Sequence, residues 1–375
     1  MHRPPSTPDT VAQPDTAAAH QGRPLIGTHG EVGGALATLS ASLLEHLCTI
    51  GYDHSAEGDE PRLVLNHITP EQPVPYRRRA QATFVLSLME LPEIPEGGAI
   101  MLYPYLVRSL SNMLLVSVPD EAVHFLTLEM GHFVEPVGPG LIGRLVERIE
   151  PVASSVLVVD NVFVPDLEPE LWQGDEHTLA LAAAGRRLAE WDLLPAPFPL
   201  EEVLSERDMR HVKRLYGIGG LSYGNLSVRL DAGRFWMSAS GVDKARLETI
   251  GRDILLVTDY DANANAMRLS VPEGIEPRRV SVDAIEHWLI YREHPKVGAI
   301  IHVHAWLDGI PSTQFTYPCG TYQLGEAVAE RIRQADDPAR TVVGLKNHGV
   351  TVTGTDLGDI LARIDGKLLP TVPMT

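Results

Sequence analysis

Two histidines in the segment Ala299–His304 have the residue type and the spacing of metal ligands. The sequence AIIHVH places His302 and His304 two residues apart at the end of an apolar run. Because side chains alternate between the two faces of a β-strand, both imidazoles are predicted to point the same way. Two adjacent imidazoles are half of a divalent-metal site, although a pair of ordinary surface or core histidines fits this short pattern as well.

A third histidine and two small-residue turns add to this pattern. His348 ends the apolar run TVVGLKNHG and is predicted to supply a third ligand at a strand end. The segments GNLSVR, from Gly224, and SASGVDK, from Ser238, each border a predicted strand. Backbone N–H groups in such turns can form anion-binding nests. The alternative is that these segments are ordinary turns that connect the strands of a hairpin.

Taken in order, five blocks of the sequence resemble the class II aldolase/adducin family. They are GNLSVR, SASGVDK, IIHVHA, YPCGTYQLGEAVAERI, and LKNHG followed by TVTGT, and they cover about residues 205–365. The resemblance implies an α/β/α layered domain with a mainly antiparallel central sheet. It also implies that His302, His304 and His348 are the three metal ligands.

The resemblance implies roles for further residues. The family's phosphate-cradling turns fall on Gly224, Asn225, Ser240 and Gly241, and a substrate-pocket serine falls on Ser281. A second pocket serine is replaced by Val282, which weakens the case for a phosphorylated substrate. The candidate basic ligands of a phosphate are Lys244, Arg229 and Lys346.

Asp283 matches the family's acidic residue, and we expect it to be catalytic, either as a general base or as a carboxylate that joins the metal. The alternative for Asp283 is a helix N-cap with Glu286 closing a capping box. His287 lies one helical turn later, and we expect it behind the primary site.

The function implied is that of a divalent-metal-dependent lyase. It would act on a hydroxy-carbonyl substrate, sugar-like or sugar-phosphate-like, through a metal-stabilised enediolate. Zinc is the expected ion, with manganese, cobalt or iron as alternatives. A metal-dependent epimerase, decarboxylase or dehydratase on the same fold is one alternative, and a non-catalytic adducin-like scaffold is another. Family members form rings, so a homo-oligomer is expected.

One segment departs from the family pattern. Between His304 and the YPCGT block the chain is shorter than the family, which places a helix there and often a tyrosine that protonates the leaving group. Tyr317, Tyr322 and Asp308 are candidate replacements, and the sequence does not choose among them.

Bulk properties restrict the partners. The 375 residues carry a formal net charge of −18, which repels nucleic acid and anionic membranes, so a small-molecule substrate is expected instead. No apolar run approaches the roughly 18 residues of a membrane helix. The two cysteines, Cys48 and Cys319, lie far apart in the sequence, which favours a reducing, cytoplasmic setting.

The chain is predicted to have two folded parts. We expect a disordered tail over 1–24, an α/β domain of unassigned family over 25–195, a proline-rich linker over 196–204 and the metal domain over 205–375. Helices are predicted near 31–52, 101–112, 141–149, 177–191 and 204–216, and strands near 62–68, 82–89, 113–118 and 155–164. Asp160 is placed at a strand end, where α/β folds bind ligands.

Overall fold

The computed structural model describes residues 23–80, 82–128, 131–191, 193, 203–215 and 223–373. The tail expected over 1–24 and the linker expected over 196–204 therefore lie mostly outside the described residues. Within the described residues the strands form two sheets, one of seven strands and one of eight.

The first sheet is built by the N-terminal part of the chain. Its strands are β1 (Leu25–His29), β2 (Asp53–His54), β3 (Leu63–His67), β4 (Phe84–Glu90), β5 (Met113–Val118), β6 (Ala122–Thr127) and β7 (His132–Pro136), in the order β2-β1-β3-β4-β5-β6-β7. Strands β2 to β5 pair in parallel, whereas β6 and β7 add an antiparallel edge. Helices α1 (Gly34–Thr49), α2 (Tyr103–Arg108) and α3 (Leu141–Ala153) accompany this sheet. This confirms the α/β class predicted for this part.

The second sheet carries the predicted metal ligands. Its strands are β8 (Asp160–Val164), β9 (Gly224–Arg229), β10 (Phe235–Ser238), β11 (Ile254–Asp261), β12 (Ala266–Ser270), β13 (Ala299–Val303), β14 (Val342–Leu345) and β15 (Gly349–Gly354), in the order β14-β15-β13-β9-β10-β11-β12-β8. Every pair is antiparallel except β12–β8. The mainly antiparallel sheet is therefore confirmed.

Helices cover both faces of the second sheet. They are α4 (Glu176–Glu190), α6 (Ala284–Glu293), α7 (Tyr322–Arg333) and α8 (Leu357–Ile364). Helix α5 (Glu206–Leu215) instead packs against α2 of the first part. Thr351 of β15 bonds Glu286 of α6, whereas Gly354, on the opposite face of the same strand, lies against Ile360 of α8. Because α6 packs with α7 and α4 packs with α8, the predicted three layers are confirmed.

None of the helices in the described part of the chain is long and apolar enough to cross a membrane.

The change from one sheet to the other comes early in the chain. Strand β8 pairs with β12, and Leu181 of α4 is buried in the core of the second sheet. We therefore propose that the C-terminal unit begins near Ser155, ahead of the linker expected over 196–204. The strand predicted over 155–164 begins only at Asp160 and ends at Val164. Asp160 is therefore the exposed first residue of the strand. It does not lie at the carboxyl end of the strand, where a ligand site was expected.

Candidate metal centre

The structure brings His302, His304 and His348 together. Their ring centroids lie 5.0 to 5.1 Å apart in all three pairs, and their candidate ligand nitrogens all lie within 4.8 Å of one another. The Nε2 atoms of His304 and His348 are 3.2 Å apart. Two nitrogens bound tetrahedrally to one zinc ion would be separated by about 3.3 Å, given a zinc–nitrogen distance of about 2.0 Å.

Sheet register explains this convergence. His302 lies on the central strand β13, opposite Asn225 of β9 on one side and Thr351 of β15 on the other. His348 occupies the turn between β14 and β15, immediately before Gly349. A Cβ atom on Gly349 would lie 2.3 Å from the backbone oxygen of Val303, so glycine is needed for the turn to approach β13 this closely.

The hydrogen bonds of the histidines fit a metal. Nδ1 of His302 lies 3.1 Å from the backbone oxygen of Val350, which makes Nδ1 the donor and leaves Nε2 as a free lone pair. That Nε2 atom is buried and has no hydrogen-bond partner. Burial, followed by the neighbouring histidines, lowers the pKa of His302 and of His348 well below the usual range. Both imidazoles are therefore neutral at pH 7, as metal ligands must be.

The side chain of Asp283 is buried and does not cap its helix. Asp283 occupies the N-cap position of α6, but its side chain makes no capping hydrogen bond, so the alternative of a capping box with Glu286 does not hold. Its carboxylate instead accepts from Asn225 Nδ2 at 2.7 Å and from the backbone N–H of Gly320 at 3.3 Å. Burial raises the pKa of Asp283 to about 6, against the lowering effects of these two hydrogen bonds and of the charge on Lys244.

A second carboxylate, Glu286, is buried beside the site. Its Oε1 accepts from Thr351 Oγ1 at 2.5 Å, and its Oε2 has no partner. Burial, followed by the charge on Asp283, raises the pKa of Glu286 to about 8. The free energy of unfolding should therefore fall as pH rises from the ordinary value of 4.5 through about 8, because the unfolded chain releases this proton first.

We expect Glu286→Gln to stabilise the metal-free protein increasingly between pH 5 and pH 8. The gain should reach on the order of 1–3 kcal/mol, since the amide keeps the shape but never ionises. Urea unfolding at both pH values measures it, with the exposed Glu276→Gln as the control. An equal difference from the wild type at pH 5 and pH 8 would contradict this assignment.

The residues assigned to anion-binding turns also meet. Segment 238–240 pairs with 279–281, through a hydrogen bond from the N–H of Ser240 to the oxygen of Arg279 at 2.9 Å and one from the N–H of Ser281 to the oxygen of Ser238 at 3.2 Å. Gly241, with φ of 66°, follows at the bend. This pairing places Ser240 and the buried Ser281 close together, just before the start of α6.

Gly224 begins β9 with φ of 146°, and a Cβ atom there would lie 2.0 Å from the backbone oxygen of His302. We expect Gly224→Ala to destabilise the protein by about 3 kcal/mol, because both the backbone conformation and the contact with β13 must change. Urea unfolding midpoints measure this effect. Gly233→Ala, in a turn where a Cβ atom meets nothing within 4 Å, is the control and should stay within about 0.5 kcal/mol of the wild type.

Two residues near the centre were not assigned to it from the sequence. Cys319 places its Sγ 3.2 Å from His348 Nε2. Lys244, considered only as a phosphate ligand, is buried with its Nζ 5.2 Å from the ring centroid of Tyr223. Burial lowers the pKa of Lys244 to about 8, against the raising effect of Asp283. The only available signal was their position inside the blocks YPCGT and SASGVDK.

Other candidates are used elsewhere in the fold. Arg229 donates to the backbone oxygens of Val297, Tyr291 and His294, so it is a structural residue and not the phosphate ligand considered for it. Tyr322 packs against Tyr260, with ring centroids 5.9 Å apart, and Tyr317 packs against Phe315. Asp308 is exposed.

His287 lies behind the centre, as expected. It is fully buried, and its Nδ1 is 2.7 Å from Ser227 Oγ, which is itself 2.9 Å from the hydroxyl of Tyr291. Burial lowers its pKa to about 3. This ring is therefore a neutral part of the packing under α6.

Known proteins match this part of the chain. The family model described as Class II Aldolase and Adducin N-terminal domain matches residues 209–307, so His348 lies beyond the matched segment. A methylthioribulose-1-phosphate dehydratase of Cronobacter sakazakii is 28% identical over 174 residues, which are 38% of this chain and 78% of the relative. A 3-oxo-tetronate 4-phosphate decarboxylase of Haemophilus influenzae is 28% identical over 180 residues, which are 42% of this chain and 79% of the relative.

Among solved structures, an L-fuculose 1-phosphate aldolase superposes with a TM-score of 0.36 and 18% identity, over 51% of this chain and 81% of the other. These relatives and neighbours are enzymes by name. Residues 209–307 of this chain match the family model of the class II aldolase and adducin N-terminal domain.

Proposed function

We propose that His302, His304 and His348 hold a divalent metal, and that the protein is a metal-dependent lyase acting on a hydroxy-carbonyl substrate. The observation that carries the proposal is the buried, unpartnered Nε2 of His302, in a triangle of three imidazoles. An orphaned buried lone pair costs free energy, and a metal ion would remove that cost. A scaffold protein has no physical need for such a group.

A metal in this position would act as a Lewis acid toward the carbonyl and hydroxyl oxygens of the substrate. Asp283 is the proton-transferring group of the proposal. It is buried, it is oriented by Asn225, and its pKa of about 6 suits a base working near neutral pH. A nearby dication would lower that pKa, because positive charge favours the carboxylate.

The reaction class is open to a second candidate, in which the same centre dehydrates, decarboxylates or epimerises its substrate. The short segment after His304 favours this candidate, because residues 305–316 contain no tyrosine that could protonate a leaving group. The printed names of the two curated relatives, a dehydratase and a decarboxylase of phosphorylated substrates, point the same way.

Further parts of the proposal concern the ion and the setting. Zinc is the proposed ion, because three imidazoles match its preferred ligands, and manganese, cobalt or iron are alternatives. A cytoplasmic location and a homo-oligomer are proposed on the two free cysteines and on the family resemblance respectively.

The test combines metal analysis with product analysis. Elemental analysis of protein purified without chelator or nickel resin should find about one divalent ion per chain. The metal-loaded protein is then incubated with ketose 1-phosphates and with hydroxy-oxo acid phosphates, and the products are identified by NMR. Cleavage supports the lyase, whereas loss of water or carbon dioxide supports the second candidate. A protein that holds no metal and cannot be loaded contradicts both.

A further inference from the structure

A cleft of about 550 Å³ lies between the two parts of the chain. The N-terminal part contributes the segment 75–80 together with Phe84 and Leu110. The C-terminal part contributes Ser240 and Cys319, among others. Clefts of this size, where two units meet, are the usual place for a small-molecule ligand.

Five arginines line this cleft in a chain whose net charge is −18. They are Arg77, Arg78, Arg79, Arg207 and Arg279. Among the residues that the structure describes, none of the five has a carboxylate within 4.0 Å, whereas the adjacent Arg278 pairs with Asp253. Uncompensated arginines in an acidic protein indicate a site for an anion, because guanidinium groups bind phosphate and carboxylate through paired hydrogen bonds.

The segment that carries three of the arginines is anchored to the first sheet. Asn66 Nδ2 donates to the backbone oxygen of Val74 at 3.1 Å, and the ring of Tyr76 meets that of His29 edge-on at 5.3 Å. Arg78 donates through Nη2 to the backbone oxygen of Leu110 at 2.9 Å. Arg78 is therefore held in place, while Arg77 and Arg79 extend from it as exposed side chains.

The cleft is continuous with the candidate metal centre. Cys319 lines the cleft and also places its Sγ 3.2 Å from Nε2 of His348. Ser240 and Arg279 line it too and are joined by a backbone hydrogen bond. The side chain of Val282, which also lines the cleft, cannot donate a hydrogen bond to an anion. The positive charge that would hold an anion must therefore come from the arginines of the cleft.

We propose that this cleft binds a phosphate dianion of the substrate, and that Arg77 and Arg79 of the N-terminal part hold it together with Arg279 of the C-terminal part. The inference rests on the proposed function, because it treats the cleft and the three histidines as two ends of one substrate site. It gives the N-terminal part a role in binding and predicts a substrate with a phosphate at one end and a hydroxy-carbonyl group at the other.

The first test uses metal-free full-length protein, so that it does not depend on the metal centre. Inorganic phosphate is titrated by calorimetry at constant ionic strength. The variant Arg77→Gln/Arg79→Gln/Arg279→Gln should bind phosphate at least about ten-fold more weakly than the wild type. All three side chains are exposed, so the fold should be kept, which the thermal unfolding midpoint checks. Arg278→Gln, one residue away but outside the cleft, is the matched control and should stay within about two-fold.

The second test joins the two ends of the site in zinc-loaded protein. Glycerate has a hydroxy-carboxylate that can chelate the ion, and 3-phosphoglycerate adds a phosphate. The triple variant should lose about ten-fold of the preference for 3-phosphoglycerate over glycerate, with the affinity for glycerate itself unchanged.

Unchanged phosphate binding in the triple variant, or an equal loss in Arg278→Gln, would overturn the proposal, and so would an unchanged preference for 3-phosphoglycerate. If phosphate binding depends on the arginines but the protein holds no metal, the anion site stands and the proposed function fails.

Discussion

His302→Ala should reduce the metal content from about one ion per chain to a negligible level, and activity should be lost with it. The substitution removes the most buried of the three ligands, whose orphaned Nε2 carries the proposal. Loss of a group that merely supports a ligand lowers metal affinity by about 10- to 100-fold, so loss of a ligand itself should exceed that range. Elemental analysis and competition with a chelating dye measure the effect.

The control for this prediction is His294→Gln, which changes another buried histidine that lies outside the cluster. It should keep its metal. A His302→Ala protein that keeps a full complement of metal with wild-type affinity would show that the three histidines are not the metal site, and the lyase proposal would fall with them.

Asp283→Asn should lower kcat by about 10²- to 10⁴-fold while the metal is retained, which is the usual contribution of a positioned proton-transfer group. The amide oxygen can still accept from Asn225 Nδ2, and only the longer bond from the Gly320 N–H is lost, so most of the local geometry should survive. The wild-type rate should rise with pH through a pKa of about 6 or somewhat lower, because a base must be deprotonated to work. This limb of the pH profile should vanish in the variant.

Asp243→Asn is the control for Asp283→Asn, because Asp243 is an exposed carboxylate that caps the neighbouring turn. It should stay within about two-fold of the wild-type kcat. Loss of metal in Asp283→Asn would make Asp283 a ligand and not the base. An unchanged kcat with an unchanged pH profile would remove it from the mechanism altogether.

Local patterns in the sequence were sufficient for much of the fold. Strands β3, β4 and β5 follow from apolar runs, because parallel strands covered on both faces have no polar side to interrupt them. Strands β6 and β7 were not predicted, since AVHFLT and HFVEP have polar residues at irregular positions. Strand β8 was predicted as part of the N-terminal unit, because sequence order does not reveal that it pairs with β12.

The candidate site also combines features that follow from local sequence patterns with features that depend on distant contacts. The spacing of His302 and His304 already determined that they share a face, since strand geometry is local. Whether Asp283 turned inward or capped α6 was undecided by local rules, and the choice followed from the partner Asn225, more than fifty residues away in the chain. The hydrogen bond between them forms only when β9 and α6 are packed together.

By itself, the sequence determined which residues could carry chemistry: three histidines and one aspartate in a recognisable order. Only the tertiary structure decided what surrounds them. The structure places Cys319 beside His348, and it places Arg77 and Arg279 in one cleft. The residues of each pair come from distant segments, so no pattern within a single segment could predict their contact. The physical reason is that a site is built from long-range packing, whereas sequence patterns report the conformation of neighbours.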